Sequence, residues 1–403
     1  MTITRDINYL GVFDQQIDLF EGIYMVPYGI AYNSYAIIDE KIAILDTVDK
    51  DFGSQWLEKM EVVLNGRKPD YLIIQHMEPD HSANIMEFVK RYPRAQLVAT
   101  VKAFSMMKNF FGTDFSEKRI LVSDGDRLSL GKHELTFIAT PMVHWPEVMM
   151  TYDSTDKVFF SADAFGRFGI QEDNGMAAAE SSFHTWIEEA RRYYFGIVGK
   201  YGRWVQKLLE KVSELEVEKI CPLHGSILSG KLTPYLKTYG MWAAYEPEED
   251  GILIAYTSVY GNTRKAVQVL RDYFLEKGVS NVILRDLSRS DMSYVVADAF
   301  RYQKLVLATT TYNAEIFPPM REFITSLKER NFCNRKVALI ENGSWAIVAA
   351  KIMKEMLERC EGLIFVEPTV RITSALNEES KAQLEKLAEE LCKTSNGENM
   401  TDV

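Results

Sequence analysis

The chain has 403 residues, with 46 Lys and Arg against 57 Asp and Glu, for a formal net charge of −11. That balance, with no cluster of basic residues, excludes a polyanion binder, because neutralising phosphates takes grouped cations. The length exceeds a usual single core and predicts two or three domains, of which the motifs mark two; no apolar run approaches a membrane span and the N-terminus lacks the regions of a signal peptide.

In chain order, the alternating apolar segments Tyr35-Ala36-Ile37-Ile38 and Ile42-Ala43-Ile44-Leu45, closed by Asp46-Thr47-Val48-Asp49, predict strands of a mixed sheet under helices. The apolar run Tyr71-Leu72-Ile73-Ile74 then leads into His76-Met77-Glu78-Pro79-Asp80-His81, four potential metal ligands in six residues. His144, Asp163 and His224 follow, each at the end of an apolar β-like run. Any one of them alone is more often a cap or a hydrogen-bonded surface group. The chain has only six histidines, however, and four of them fall in these loops. Seven ligands fit two metal ions. His133, in the expected turn Gly131-Lys132-His133-Glu134, and His184 match no pattern and read as ordinary.

Imidazole suits zinc and iron alike, whereas added carboxylates move a site away from zinc, so iron is the expected metal. Two ferrous ions bring four positive charges, which Glu78, Asp80, Asp163 and one bridging hydroxide offset, and a nearly neutral site can be buried.

The acidic stretch Tyr245-Glu246-Pro247-Glu248-Glu249-Asp250 reads as a junction, with the metal motifs before it and a second set of motifs after it. There the buried strand Gly251–Tyr256 runs into Thr257-Ser258-Val259-Tyr260-Gly261-Asn262-Thr263, and Ala266, Val267, Leu270, Tyr273 and Phe274 recur at helical spacing. A hydroxyl-rich loop at a helix N-terminus binds phosphate, since the first N–H groups lack partners and carry partial positive charge. No Gly-x-x-x-x-Gly-Lys pattern occurs, which disfavours a nucleoside triphosphate. A capped helix start is the bland alternative for this loop alone. Two further strands, Lys304–Ala308 and Lys336–Ile340, lead into Thr309-Thr310-Thr311-Tyr312-Asn313 and Glu341-Asn342-Gly343-Ser344-Trp345. Three such loops at the carboxyl ends of strands are where an open α/β sheet binds its ligand. Asn281–Leu284, Leu363–Val366 and an amphipathic helix around Lys381 to Leu391 complete five strands of a doubly wound parallel sheet.

The His-x-x-x-Asp-His core with distant His, Asp and His resembles the metallo-β-lactamase fold, and Glu78, standing where its zinc hydrolases usually carry a second His, is similar to the flavodiiron proteins. The loop after residue 256 resembles the FMN phosphate loop of flavodoxins. The resemblance covers nearly the whole chain and implies an αββα metallo-β-lactamase-like sandwich at residues 1–248, a flavodoxin-like domain at 251–394 and a frayed tail at 395–403. It also implies two irons, with His76, Glu78 and His144 on one, Asp80, His81 and His224 on the other, and Asp163 bridging. FMN is the implied flavin, its ring beside Tyr312 and Trp345. Trp145 and Tyr24 either line the gas pocket or are plain core aromatics.

The implied activity is reduction of O₂ to water, of NO to N₂O, or both. Cys221, Cys333, Cys360 and Cys392 contain no Cys-x-x-Cys pair, so no rubredoxin-type centre is expected and the electron donor is a separate rubredoxin-type protein or reductase. Scattered cysteines also imply a reducing cytoplasm, and the chain resembles the minimal two-domain class. Because the two sets of loops fall in separate domains joined by a short linker, the resemblance implies a head-to-tail homodimer or a dimer of dimers, the alternative being a linker that folds one domain over the other within a chain. Two other readings stay open at this stage: a zinc or mixed-metal hydrolase with an accessory domain, and a non-catalytic electron carrier.

Overall fold

In the computed structural model, residues 2–169 and 179–393 are described, and the tail expected at 395–403 lies outside them. The chain divides into two compact units, Met1–Ala244 and Tyr245–Val403.

The first unit holds two six-stranded sheets. One runs Ile7–Tyr9, Tyr35–Ile38, Ile42–Leu45, Tyr71–Ile73, Gln96–Ala99, Arg119–Leu121; the other runs Arg127–Ser129, Glu134–Ala139, Met149–Asp153, Val158–Phe160, Lys219–Cys221, Leu228–Ser229. Leu45, Ile73 and Val98 of the first meet Phe137, Met149 and Phe160 of the second in one apolar core. All four residues of Ile42–Leu45 are buried, so this strand is covered on both faces. Helices such as Gly53–Leu64, which buries Trp56 and Met60, complete an αββα sandwich. That helix ends at Asn65, which takes the left-handed conformation (φ 45°) common for a C-terminal cap.

Pairing then decides where the ligand loops emerge. Ile42–Leu45 lies parallel to Tyr71–Ile73, and Val158–Phe160 lies parallel to Lys219–Cys221. Parallel neighbours end on the same side, so the loops that carry Asp163 and His224 leave their sheet together.

In the second unit five parallel strands run in the order Val282–Asp286, Glu249–Tyr256, Tyr302–Tyr312, Lys336–Gly343, Ile364–Thr373. Numbered along the chain this is 2-1-3-4-5, the flavodoxin-like doubly wound order, with its crevice where the winding reverses. Three strands run further than their apolar cores predict. Thr309 to Tyr312, expected as loop, belong to a strand that turns back through Asn313 and Ala314 to pair with Glu315–Ile316. β-branched threonines fit a pleated ladder, and their hydroxyls do not break it. The last strand likewise passes Pro368 and continues to Thr373. The closing helix, Glu378–Cys392, begins at a capping box between Asn377 and Ser380. Arg335, 1% exposed, donates to the carbonyls of Tyr245, Phe300 and Tyr302 and so ties the start of this unit to its sheet.

Candidate metal centre and phosphate-loop pocket

The seven residues picked out in the first unit converge in two groups of donor atoms: His76, Glu78, His144 and Asp163, and beside them Asp80, His81 and His224. In the first, Glu78 Oε2 lies 3.1 Å from Nε2 of both His76 and His144. In the second, Nε2 of His81 and Nε2 of His224 are 3.0 Å apart, and Asp80 Oδ2 is 3.3 Å from the latter. Asp163 joins the two. Its Oδ2 is 3.1 Å from His144 Nε2 and 3.4 Å from His76 Nε2, while Oδ1 is 3.4 Å from His81 Nε2.

The donor orientations call for cations. His76 Nδ1 is directed at Glu147 Oε1, 2.8 Å away, and His224 Nδ1 at the carbonyl of Ala31, also 2.8 Å away. A carbonyl only accepts, so His224 carries its proton on Nδ1 and, when neutral, turns a bare Nε2 towards Asp80 and His81. Bare nitrogens and carboxylate oxygens do not share so small a space unless protons or metal ions lie between them. Among the described residues Asp163 Oδ1, both oxygens of Asp80 and Nδ1 of His81 are buried without a hydrogen-bond partner, and buried polar atoms of this kind call for a ligand of another sort, such as a metal ion. Four imidazoles with three carboxylates fit iron better than zinc.

Electrostatics agree. Burial opposes a charged imidazole at His144, yet hydrogen bonds to Asp163 and Glu78 outweigh it and raise the group to about 9. Burial likewise opposes an ionised Asp163, but the charge of His76 and hydrogen bonds from His144 and His76 hold it well below the usual carboxylate range. Without metal, protons fill the role; metal binding displaces them.

Sequence reasoning missed the groups that hold this arrangement. Asp46, buried in a left-handed conformation (φ 53°), accepts from the backbone and side-chain nitrogens of Gln75 and so fixes the start of the ligand loop. Around His224 stand the rings of Phe20, Tyr32 and Tyr193, with centroids at 5.3, 5.9 and 5.5 Å. Trp145 stands edge-on to His76 at 5.2 Å, and Tyr24 packs on Phe168 and donates to the Gly196 carbonyl. His133, Asp153 and Asp156 also converge, but there His133 Nδ1 bonds Asp153 and the Asp153 carboxylate accepts the Thr155 and Asp156 backbone N–H groups. That group is a satisfied structural network.

In the second unit a cavity of about 350 Å³ is lined by Ser258, Val259, Tyr260, Asn262, Thr263, Thr310, Thr311, Tyr312, Asn313, Asn342, Gly343, Ser344, Trp345 and Ser374. Gly261, at φ 89°, opens the helix Asn262–Glu276; only glycine adopts that conformation without strain. Ser258 Oγ accepts from the N–H groups of Gly261 and Arg264, which curls the loop over the helix start. Thr257 and Thr309 do not line the cavity: both are buried and their hydroxyls bond each other at 2.6 Å. Ser374, which bonds Ser344 at 2.8 Å, is a lining residue that the early end expected for the last strand concealed.

Comparison with known proteins places this architecture. Residues 30–225 match the family described as ODP family beta lactamase. The chain is similar to a nitric oxide reductase of Moorella thermoacetica, 30% identical over 91% of this chain and 92% of that one. It is also similar to an anaerobic nitric oxide reductase flavorubredoxin of Salmonella arizonae, 29% identical over 85% of this chain and 72% of that protein. Among solved structures, the rubredoxin oxygen:oxidoreductase of Desulfovibrio gigas superposes with a TM-score of 0.90 at 25% identity, covering 97% of each chain. The flavodiiron protein of Giardia intestinalis, at 23% identity and a TM-score of 0.87 over 96% of each chain, shares the fold. With two donor clusters in an αββα sandwich, a phosphate-loop cavity in a doubly wound sheet, and a relative 30% identical over 91% of this chain and 92% of its own, the chain belongs to the flavodiiron proteins.

Proposed function

We propose that this protein reduces dioxygen to water, nitric oxide to N₂O, or both, taking electrons from an external rubredoxin-type protein or reductase through FMN. The observation that carries the reading is Asp163, which presents one carboxylate oxygen to each donor group. Bound FMN and a diiron pair supply two electrons each, the four that turn dioxygen into two waters, while joining two NO molecules as N₂O takes two.

The chain's own residues set the conditions. His76, Glu78 and His144 hold one position, Asp80, His81 and His224 the other, and Asp163 fixes the spacing between them. The rings of Phe20, Tyr32 and Tyr193 exclude water on the His224 side. In the second unit the loop 258–263 takes the phosphate, and Tyr312 and Trp345 flank the ring. No helix among the described residues is long and apolar enough to cross a membrane, and the four cysteines are free thiols; the latter suits the cytoplasm.

The reading is tested by purifying the protein from iron-supplied cells, measuring iron and flavin, and assaying both gases with reduced flavin. About two irons per chain and turnover of at least one gas are expected. Fully loaded protein that turned over neither gas, but hydrolysed a lactone or thioester, would return the reading to a hydrolase. An electron carrier leaves the seven converging donors without a purpose.

A second expected result concerns the phosphate loop. In Ser258→Glu a carboxylate replaces the hydroxyl that the Gly261 and Arg264 N–H groups hold, opposite the phosphate. A like charge about 4 Å away at an effective dielectric of about 20 costs roughly 4 kcal/mol, about 10³-fold in affinity. The flavin absorbance is lost and the iron content is kept. Stoichiometric FMN in both Ser258→Glu and Thr263→Glu, or riboflavin bound as tightly as FMN, counts against a phosphate role.

A further inference from the structure

The two donor groups differ in what stands behind their imidazoles. Behind His76 is Glu147, 2% exposed, whose Oε1 accepts from both His76 Nδ1 and the Met77 backbone N–H, each at 2.8 Å. Its other oxygen has no hydrogen-bond partner among the described residues, so these two donors are the ones that meet its carboxylate. Behind His224 is a neutral backbone carbonyl, that of Ala31. Behind His81 Nδ1 there is no hydrogen-bond partner among the described residues.

A carboxylate that accepts the far N–H of a ligating imidazole does two things. It fixes the tautomer that leaves Nε2 bare, and it pushes electron density through the ring towards the ligated ion. The carbonyl behind His224 does the first without the added charge. Among the described residues nothing fixes the tautomer of His81 from behind.

We propose that Glu147 is a positioning residue that makes the two metal positions unequal: it orients His76, strengthens it as a donor, and so renders the His76–Glu78–His144 position the tighter-binding and the more easily oxidised of the two. The inference rests on the reading of the seven residues as a two-metal site. Asp46 holds the start of the same loop through Gln75, but it contacts no imidazole nitrogen, so the donor strength of His76 is set by Glu147.

The test compares the full-length wild type with Glu147→Gln, which keeps the shape and removes the charge. Loaded with zinc as a diamagnetic probe and labelled with ¹⁵N-histidine, the wild type shows a protonated, strongly hydrogen-bonded Nδ1 at His76. In Glu147→Gln that proton resonance moves upfield while that of His224 stays. In ⁵⁷Fe-loaded protein one of the two Mössbauer sites changes and the other does not. Metal affinity at the changed site falls about 10- to 100-fold, and its oxidation moves to higher potential. Glu147→Asp, which keeps the charge on a shorter arm, recovers part of the effect and serves as a second variant should the first fold poorly. Equal changes at both sites, or an unmoved His76 resonance with metal bound, overturn the role of Glu147. Protein that binds no zinc or iron at all instead overturns the two-metal reading itself.

Discussion

Replacing Asp163 with Asn is expected to abolish nearly all gas reduction and to strip most of the iron, while the flavin spectrum stays as in the wild type. Asp163 is 1% exposed and its two oxygens face opposite ways, Oδ2 towards His144 and His76, Oδ1 towards His81. An amide keeps the size but leaves a single oxygen acceptor, and its NH₂ donors face whichever group the oxygen does not. It also removes one of three carboxylates from a buried site. Taking one partner from a buried charged constellation costs about 3–5 kcal/mol, roughly 10²- to 10⁴-fold in metal affinity. The cavity around Ser258 lies in the other unit and depends on none of these contacts. Iron analysis, the visible spectrum and turnover of both gases measure the three parts separately. Two irons retained with undiminished turnover would sink the bridging role, and loss of the flavin along with the iron would point to general misfolding.

The clusters were legible because each ligand ends an apolar run, and four of only six histidines share that position. Strand ends are the places where a sheet delivers side chains to a site, so linear spacing carried the geometry. Glu147 left no such mark. It sits three residues after His144 in the same loop, as any exposed glutamate does, and only the fold turns it onto His76. Asp46 was visible as a strand end, but its grip on Gln75 depends on the parallel pairing of Ile42–Leu45 with Tyr71–Ile73, which the sequence does not state. In the second unit the threonines of Thr309–Thr311 were read by their hydroxyls as loop, whereas their branched Cβ atoms place them in the ladder. The last strand reads as ending at Val366, just before Glu367-Pro368, whereas it continues to Thr373, and that early end hid Ser374, a cavity residue that bonds Ser344.

Mixing two inactive variants is expected to restore activity, because the proposed working unit is a head-to-tail dimer in which the flavin of one subunit serves the metal centre of the other. Each unit carries an exposed apolar rim beside its site. Near the metal centre this is the hairpin that holds Phe20 against His224, with Leu19, Ile23, Met25 and Tyr28 at the surface. Around the flavin cavity it is Val259, Tyr260, Tyr312 and Trp345, of which Tyr260 is 92% and Trp345 82% exposed. Large aromatic and aliphatic side chains grouped in this way mark association surfaces, and a two-fold contact that pairs one rim with the other covers both twice. Asp163→Asn keeps a sound flavin cavity, and Ser258→Glu keeps a sound metal centre. After subunit exchange, confirmed by native mass spectrometry of differently tagged chains, a mixed dimer holds one intact pair of centres facing each other across the interface. At full exchange of equal amounts half of the dimers are mixed, and each has one of two working pairs, so roughly a quarter of wild-type turnover is expected on this two-fold geometry. If electrons instead pass within one chain, every chain in the mixture lacks either its iron centre or its flavin, and turnover stays at the level of the separate variants. Verified mixed dimers without recovered turnover would therefore reject transfer between subunits.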